Sequence, residues 1–143
     1  VSLYIFATDH ITLQQHAHPI VMEHLRGLRE GDVVAVTIIT VEEQVRGRLE
    51  LIRRYSTLPL QVPAYAAFHQ TLRYFAAWQV LEFSQAPFDR FAELRRQRVR
   101  IGSQDLRIAA IALASGAILV TRNKRDFDQV PGLVSEDWSI GRD

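Results

Sequence analysis

Four chain-distant segments place acidic or amide side chains beside apolar runs: Ala7-Thr8-Asp9, Thr40-Val41-Glu42-Glu43, Ser103-Gln104-Asp105 and Thr121-Arg122-Asn123-Lys124-Arg125-Asp126. Carboxylates crowded within a few ångströms repel one another and raise each other's pKa, so such a cluster is tolerable mainly when a divalent cation neutralises it. Oxygen donors select magnesium or manganese. Such an ion lowers the pKa of a bound water, orients it against a phosphodiester and stabilises charge on the phosphoryl oxygens. Each segment also has a purely local reading. Thr40 with Glu43 matches a capping box, Ser103 with Asp105 a helix cap plus an acid favoured by the helix dipole, and Asp126 beside Lys124 and Arg125 a solvated loop charge. Convergence of the segments is what would turn ordinary acids into a site.

The elements that must bring them together are legible. The runs Leu3 to Ala7, Val33 to Thr37 and Ala117 to Thr121 are almost continuously apolar, as expected of parallel strands covered on both faces. Pro19 opens a helix that stops before Gly31, and Pro63 opens another running toward Trp78, with Ser56 to Pro63 as the loop before it. Val80 to Phe83 adds a strand ahead of a helix from Pro87 to Arg98, and Leu133 to Ser135 adds the last after Pro131-Gly132. Strand and helix alternate, which predicts an α/β fold, a three-layer α/β/α sandwich with a central, mainly parallel sheet. No repeat or Gly/Ser linker divides the chain, so one domain over residues 1–143 is expected. In open parallel sheets the functional crevice lies beyond the carboxyl ends of the strands, where the acidic segments fall.

Composition narrows the chemistry. The 143 residues carry 17 basic and 16 acidic side chains, a formal charge of +1, so a nucleic-acid footprint must come from local clustering. Lys124 is the only lysine; arginine, whose planar fork suits phosphate, supplies the other basic side chains. They gather at Arg46, Arg48, Arg53 and Arg54 after Glu43, and at Arg95, Arg96, Arg98 and Arg100 ahead of Asp105. Of these, Arg46, Arg48, Arg96, Arg98 and Arg100 are the expected contacts for a polyanion backbone, a solvated helix face being the alternative. With no cysteine there is no disulfide framework, thiolate zinc site or cysteine nucleophile. No HExxH or helix-spaced histidine pair exists among His10, His16, His18, His24 and His69; His10 reads as a surface residue close to the site. There is no GxxxxGK[ST] or GxGxxG phosphate loop. The start, VSLYIFATDH, lacks a basic leader and no apolar run would span a bilayer, so a cytoplasmic location is expected. Tyr65, Phe68, Leu72, Phe75 and Ala76 recur at helical spacing, which suits core or interface packing.

Four pieces, YIFATDHITL, TVEEQVRG, DLRIAAIAL and TRNKRDFDQVPGL, stand in the order and approximate spacing of a known family. From Leu3 to about Trp138 the chain resembles a PIN-domain ribonuclease of the VapC toxin type. The resemblance implies a magnesium-dependent (or manganese-dependent) endoribonuclease acting on RNA, commonly transfer RNA, held inactive by a small antitoxin and forming a homodimer. It puts the family's second acidic residue on Glu43, the third on Asp105 and the last on Asp126, all three as metal ligands. Asn123 becomes a neutral neighbour placed to contact metal-bound water, and Asp9 caps the following helix or supports the site. An arginine from an antitoxin tail would fit the acidic cleft in the metal's place.

One departure stands out. Where the family has its first aspartate, at the end of the first strand, this chain has Ala7. A methyl group cannot coordinate a hard cation, so an impaired or inactive enzyme is expected, whether catalysis was lost in the lineage or a toxic protein was disarmed deliberately. Asp9 is no substitute: on a continuing strand it would lie roughly 6 to 7 Å from position 7. The competing reading is a silent module that binds antitoxin or RNA without hydrolysis.

Overall fold

A computed structural model describes residues 1–141; Arg142 and Asp143, the end of the expected domain, lie outside the described residues. In chain order the elements are β1 (Leu3–Phe6), α1 (Thr8–Gln15), α2 (Pro19–Arg26), β2 (Val33–Thr37), α3 (Ile38–Arg54) and α4 (Gln61–Ala76). They continue with β3 (Val80–Leu81), α5 (Gln85–Arg96), α6 (Ser103–Ser115), β4 (Ile118–Val120), α7 (Lys124–Phe127) and β5 (Val134–Glu136). The strands form one sheet in the order β3-β2-β1-β4-β5, and every pairing is parallel. Tyr4 pairs with both Val34 and Ile118, which makes β1 the central strand.

Alternation along β1 explains the three layers. Ile5 points into a core with Ile39, Phe91, Leu94, Ile108, Ile111, Leu119 and Phe127, covered by α5 and α6. Phe6 points the opposite way, into a core with Ile11, Val21, Val36, Phe75, Val120 and Trp138, under α1, α2 and α4. Successive side chains on a strand face opposite sides, so a strand buried on both must be apolar throughout. The expected α/β sandwich is the observed architecture, with helices on both faces of the sheet. No helix among the described residues is long and apolar enough to cross a membrane.

Some boundaries moved. The first strand ends at Phe6, because Ala7 leaves the ladder to become the N-cap of α1. The helix opened by Pro19 ends at Arg26, five residues short of Gly31, with Gly27 as its C-cap. The helix containing Pro63 starts at Gln61; proline is tolerated there because the first turn has no intrahelical partner for its missing N–H. The strand expected over Val80 to Phe83 shrinks to Val80–Leu81 at the sheet edge. Gly116 caps α6 in the left-handed region (φ 63°), where a side chain would be strained; this turn sends the chain straight into β4 and on to Thr121.

Candidate functional site

The carboxyl ends of β1, β2 and β4, on one rim of the parallel sheet, lead into the segments that carry Asp9, Glu43 and Asp126, whereas Asp105 comes from the first turn of α6. Ala7 follows β1, only 4% exposed, with its N–H bonded to the Val120 carbonyl at 3.0 Å. Its own carbonyl accepts from the His10 and Ile11 N–H groups, which starts α1 at once. The premise that Asp9 lies two places along a continuing strand is therefore wrong: Asp9 stands in the first turn of α1.

At the end of β2, Thr37 is the N-cap of α3, its hydroxyl accepting from the Thr40 N–H at 3.3 Å. The Thr40–Glu43 capping box does not form, since Thr40 already lies inside the helix. Glu43 thus projects one turn further on, where Thr8 Oγ1 donates to its Oε2 at 3.1 Å; Thr8 also pairs with the buried Thr40 hydroxyl at 3.0 Å. These bonds tie α1 to α3 and aim the carboxylate. Nothing in the spacing of Thr8 marked it for this.

Asp105 sits in the first turn of α6 behind Gly102, and Ser103 makes no cap bond. The cap reading of that pair also falls. Beyond β4, Asn123 Nδ2 donates to Asp126 Oδ2 at 3.0 Å, while the Asn123 N–H is held by Thr121 Oγ1 at 3.0 Å. Asp9 accepts from the Arg122 N–H at 3.0 Å and from Thr121 Oγ1 at 3.2 Å, so it clamps this loop rather than capping a helix. Its other oxygen lies 2.8 Å from His10 Nδ1.

Electrostatics link these groups. Burial pushes the Glu43 carboxyl up, opposed by the Thr8 hydrogen bond and reinforced by the charges of Asp105 and Glu42. Burial likewise raises Asp105, and the charges of Asp126 and Asp9 add to it. Asp9 goes the other way: burial raises it, but the bonds from His10, the Arg122 N–H and Thr121 outweigh that and hold it below the usual range. Glu43, Asp105, Asp126 and Asp9 therefore act on one another across a single rim. Hard oxygen donors that penalise each other's charge suit magnesium, although among the described residues no three acidic or histidine side chains stand as a ready ligand group.

The arginines divide. Arg46 pairs with Glu42 at 2.6 Å, and Arg96 with Glu93 at 2.5 Å. Arg48 Nε donates to Thr71 Oγ1 at 3.0 Å, toward α4. Arg98 and Arg100 are exposed on the connection into α6, Arg98 with a left-handed φ of 59°. Of the packing residues expected on α4, Phe75 is buried and Phe68 half-buried, whereas Tyr65 and Leu72 face out.

His10 corrects the expectation most sharply. It is fully buried, not a surface residue: Nδ1 meets Asp9, and Nε2 accepts the Trp138 N–H at 3.2 Å. Its only sequence signal was its place beside Ile11, on the side of α1 that faces the core.

The raised Glu43 pKa has a measurable consequence. A carboxyl whose folded pKa exceeds its unfolded one contributes stability while protonated and loses it as pH rises through the folded value. In EDTA at neutral pH, Glu43→Gln is therefore expected to melt a few degrees higher than the parent. That advantage should vanish as the pH falls below the ordinary glutamate range, where both side chains are neutral. A gain independent of pH between 4 and 7 (about the window set by the glutamate pKa) would mean the carboxylate is not strained.

Residues 14–133 match the PIN domain family, a span that holds Glu43, Asp105 and Asp126 but not Ala7 or Asp9. The chain is 25% identical over 144 residues to Ribonuclease VapC1 of Haemophilus influenzae (strain R2866), covering 96% of this chain and 98% of that relative. It is 50% identical over 48 residues to the tRNA(fMet)-specific endonuclease VapC of Shigella flexneri, a stretch that is 34% of this chain and spans 36% of that relative's length. Among solved structures it is similar to VapBC-1 from nontypeable Haemophilus influenzae, with TM-score 0.78 and 23% identity over 96% of this chain and 99% of that one. It is also similar to VapBC2 from Rickettsia felis bound to a promoter DNA fragment, with TM-score 0.71 and 23% identity over 95% and 98% of the two chains. The structural likenesses bear on the fold.

Proposed function

Because the chain belongs to the PIN-domain family and is similar to VapC ribonucleases over nearly its whole length, we propose that it is a VapC-type endoribonuclease toxin. In this reading residues 1–143 form one domain, in the cytoplasm, built for magnesium-dependent (or manganese-dependent) cleavage of RNA, transfer RNA in particular. The observation that carries it is the placing of Asp105, in the first turn of α6, within electrostatic reach of both Glu43 and Asp126, which follow β2 and β4 of the parallel sheet.

Glu43, Asp105 and Asp126 would hold the ion. Once bound, it would supply an activated water and neutralise charge on the phosphodiester. Thr8 aims Glu43, Asn123 steers Asp126, and Asp9 anchors the loop that carries them both on one side of the rim. Arg98 and Arg100 would hold backbone phosphates, which fixes the strand without reading its sequence, and Arg46, paired with Glu42, would meet the RNA beside them. Arg48 and Arg96, turned toward Thr71 and Glu93, have the weaker claim. The same acidic cleft would accept an arginine from a small antitoxin, which would neutralise the cluster and exclude substrate. The outward Val62, Tyr65 and Leu72 of α4 suit a homodimer contact.

Ala7 favours a second reading, a PIN-fold module that binds antitoxin or RNA and cuts nothing. Total transfer RNA incubated with this chain and with Ala7→Asp, in magnesium and in EDTA, separates the two. Magnesium-dependent cuts by Ala7→Asp, with little or none by the parent, are the expected result. If neither protein cuts, the nuclease reading falls.

A further inference from the structure

Beside the acidic rim lies a cleft of about 540 Å³ between α3, the segment after β3 and the start of α6. Its volume is within the range of small-ligand sites, roughly 300–1,000 Å³. Ile39 and Phe83 supply apolar lining, and Glu42, Arg46, Gln104 and Arg107 its polar edge. Glu42 and Gln104 immediately precede Glu43 and Asp105, and the charge of Glu42 acts on Glu43, so the cleft lies within electrostatic reach of the carboxylate cluster.

The polar groups are arranged in a chain. Arg107 Nη1 donates to Gln104 Oε1 at 2.7 Å, Gln104 Nε2 donates to Glu42 Oε1 at 2.9 Å, and Arg46 Nη2 donates to Glu42 Oε2 at 2.6 Å. Arg107 is itself seated 4.7 Å from the Phe91 ring centroid. Each Glu42 oxygen thus accepts one bond and retains capacity, since a carboxylate offers about four acceptor positions. The pair is cheap to open: Arg46 and Glu42 are 66% and 48% exposed, and exposed ion pairs are worth little. Phe83 is held edge-on by Phe88 and Phe91, with interplanar angles of 74° and 78°.

We propose that this cleft is a base-reading subsite for an unpaired guanine next to the scissile phosphate. Among the RNA bases guanine alone presents two adjacent N–H donors on its pairing edge, which match the two oxygens of Glu42. Its O6 and N7 acceptors match the guanidinium of Arg46, and Phe83 offers the ring contact by which unpaired bases are held. The inference rests on the ribonuclease reading and adds to it a sequence preference.

The test uses the full chain with Ala7 in place and short, fluorescently labelled, uridine-flanked RNAs that differ in one central base, read by anisotropy. The guanine RNA is expected to bind about tenfold tighter than the adenine RNA. Glu42→Gln should bring the four RNAs close to equal affinity without changing the melting temperature, and Phe83→Leu should weaken the guanine RNA by about fivefold or more. Equal binding of all four RNAs by the parent, or an undiminished preference in Glu42→Gln, overturns the proposal. So does 5′-GMP binding as tightly as the guanine RNA, which would make the cleft a free-nucleotide site. Failure here is separable from failure of the nuclease reading. Ala7→Asp cutting without regard to guanine removes the subsite alone, whereas guanine selectivity with no cutting leaves the subsite and removes the enzyme.

Discussion

Ala7→Asp is expected to melt roughly 10 °C lower than the parent in EDTA and to regain most of that loss in magnesium. Position 7 is only 4% exposed and its backbone is locked to Val120, so a new carboxylate there cannot swing into solvent. It would be desolvated among apolar neighbours, and on the shared-site reading its charge would add to those that already raise Glu43 and Asp105. An unpaired buried charge costs about 3 kcal/mol or more, and in a chain of this size each kilocalorie is worth roughly 3 °C. Magnesium would reverse the sign if it binds only the folded state: at a hundredfold excess over its Kd it would return about 2.7 kcal/mol. Ala7→Asn, equal in size but uncharged, should show far less of the magnesium-dependent recovery. Cleavage should follow the same ligand. Loss of groups that merely support metal ligands costs about 10- to 100-fold, so restoring a ligand should raise magnesium-dependent cutting by about 100-fold or more. Melting temperatures of Ala7→Asp that fall equally in EDTA and in magnesium would dissolve the idea of one shared cation site.

The second large effect does not depend on a cation. His10→Ala is expected to cost about 3–5 kcal/mol, read as a fall of roughly 10 °C or more in the melting temperature. Because Nε2 accepts the Trp138 N–H, Nδ1 carries the proton and donates it to Asp9. Truncation leaves the buried Trp138 N–H without its acceptor and opens a hole beside Phe6, whose ring centroid lies 5.6 Å away. The damage reaches the site as well, since Asp9 also holds the Arg122 N–H and the Thr121 hydroxyl. His10→Phe separates packing from hydrogen bonding: it refills the volume but not the polar role, and should recover less than half the loss. Full recovery by phenylalanine would reduce His10 to a space-filling residue.

Those two positions show how unevenly the molecule can be read from its residues. Ala7 was legible as a departure, because it interrupts a motif whose other pieces are in place. His10 was not, because its burial depends on Trp138, a residue 128 positions away in the chain. The helix registers were ambiguous for a related reason. Thr37 and Thr40 both offer a capping hydroxyl after β2, and only the packing of α3 chose Thr37, which moved Glu43 out of the first turn and into reach of Thr8. The length of β3 was overestimated because an edge strand has one neighbour to hold it, here β2 through two residue pairs.

By itself the amino-acid order determined the class of fold and the acidic positions. Strands covered on both faces must be apolar along their whole length, and acids just past such runs fall at the carboxyl edge of a parallel sheet. Only the tertiary structure decided which hydroxyl aims Glu43, that Asp9 clamps the loop beyond β4, and that Glu42 and Gln104 meet across a cleft. Those contacts join residues 35, 113 and 62 positions apart, and no local pattern encodes the distance between groups that only packing brings together.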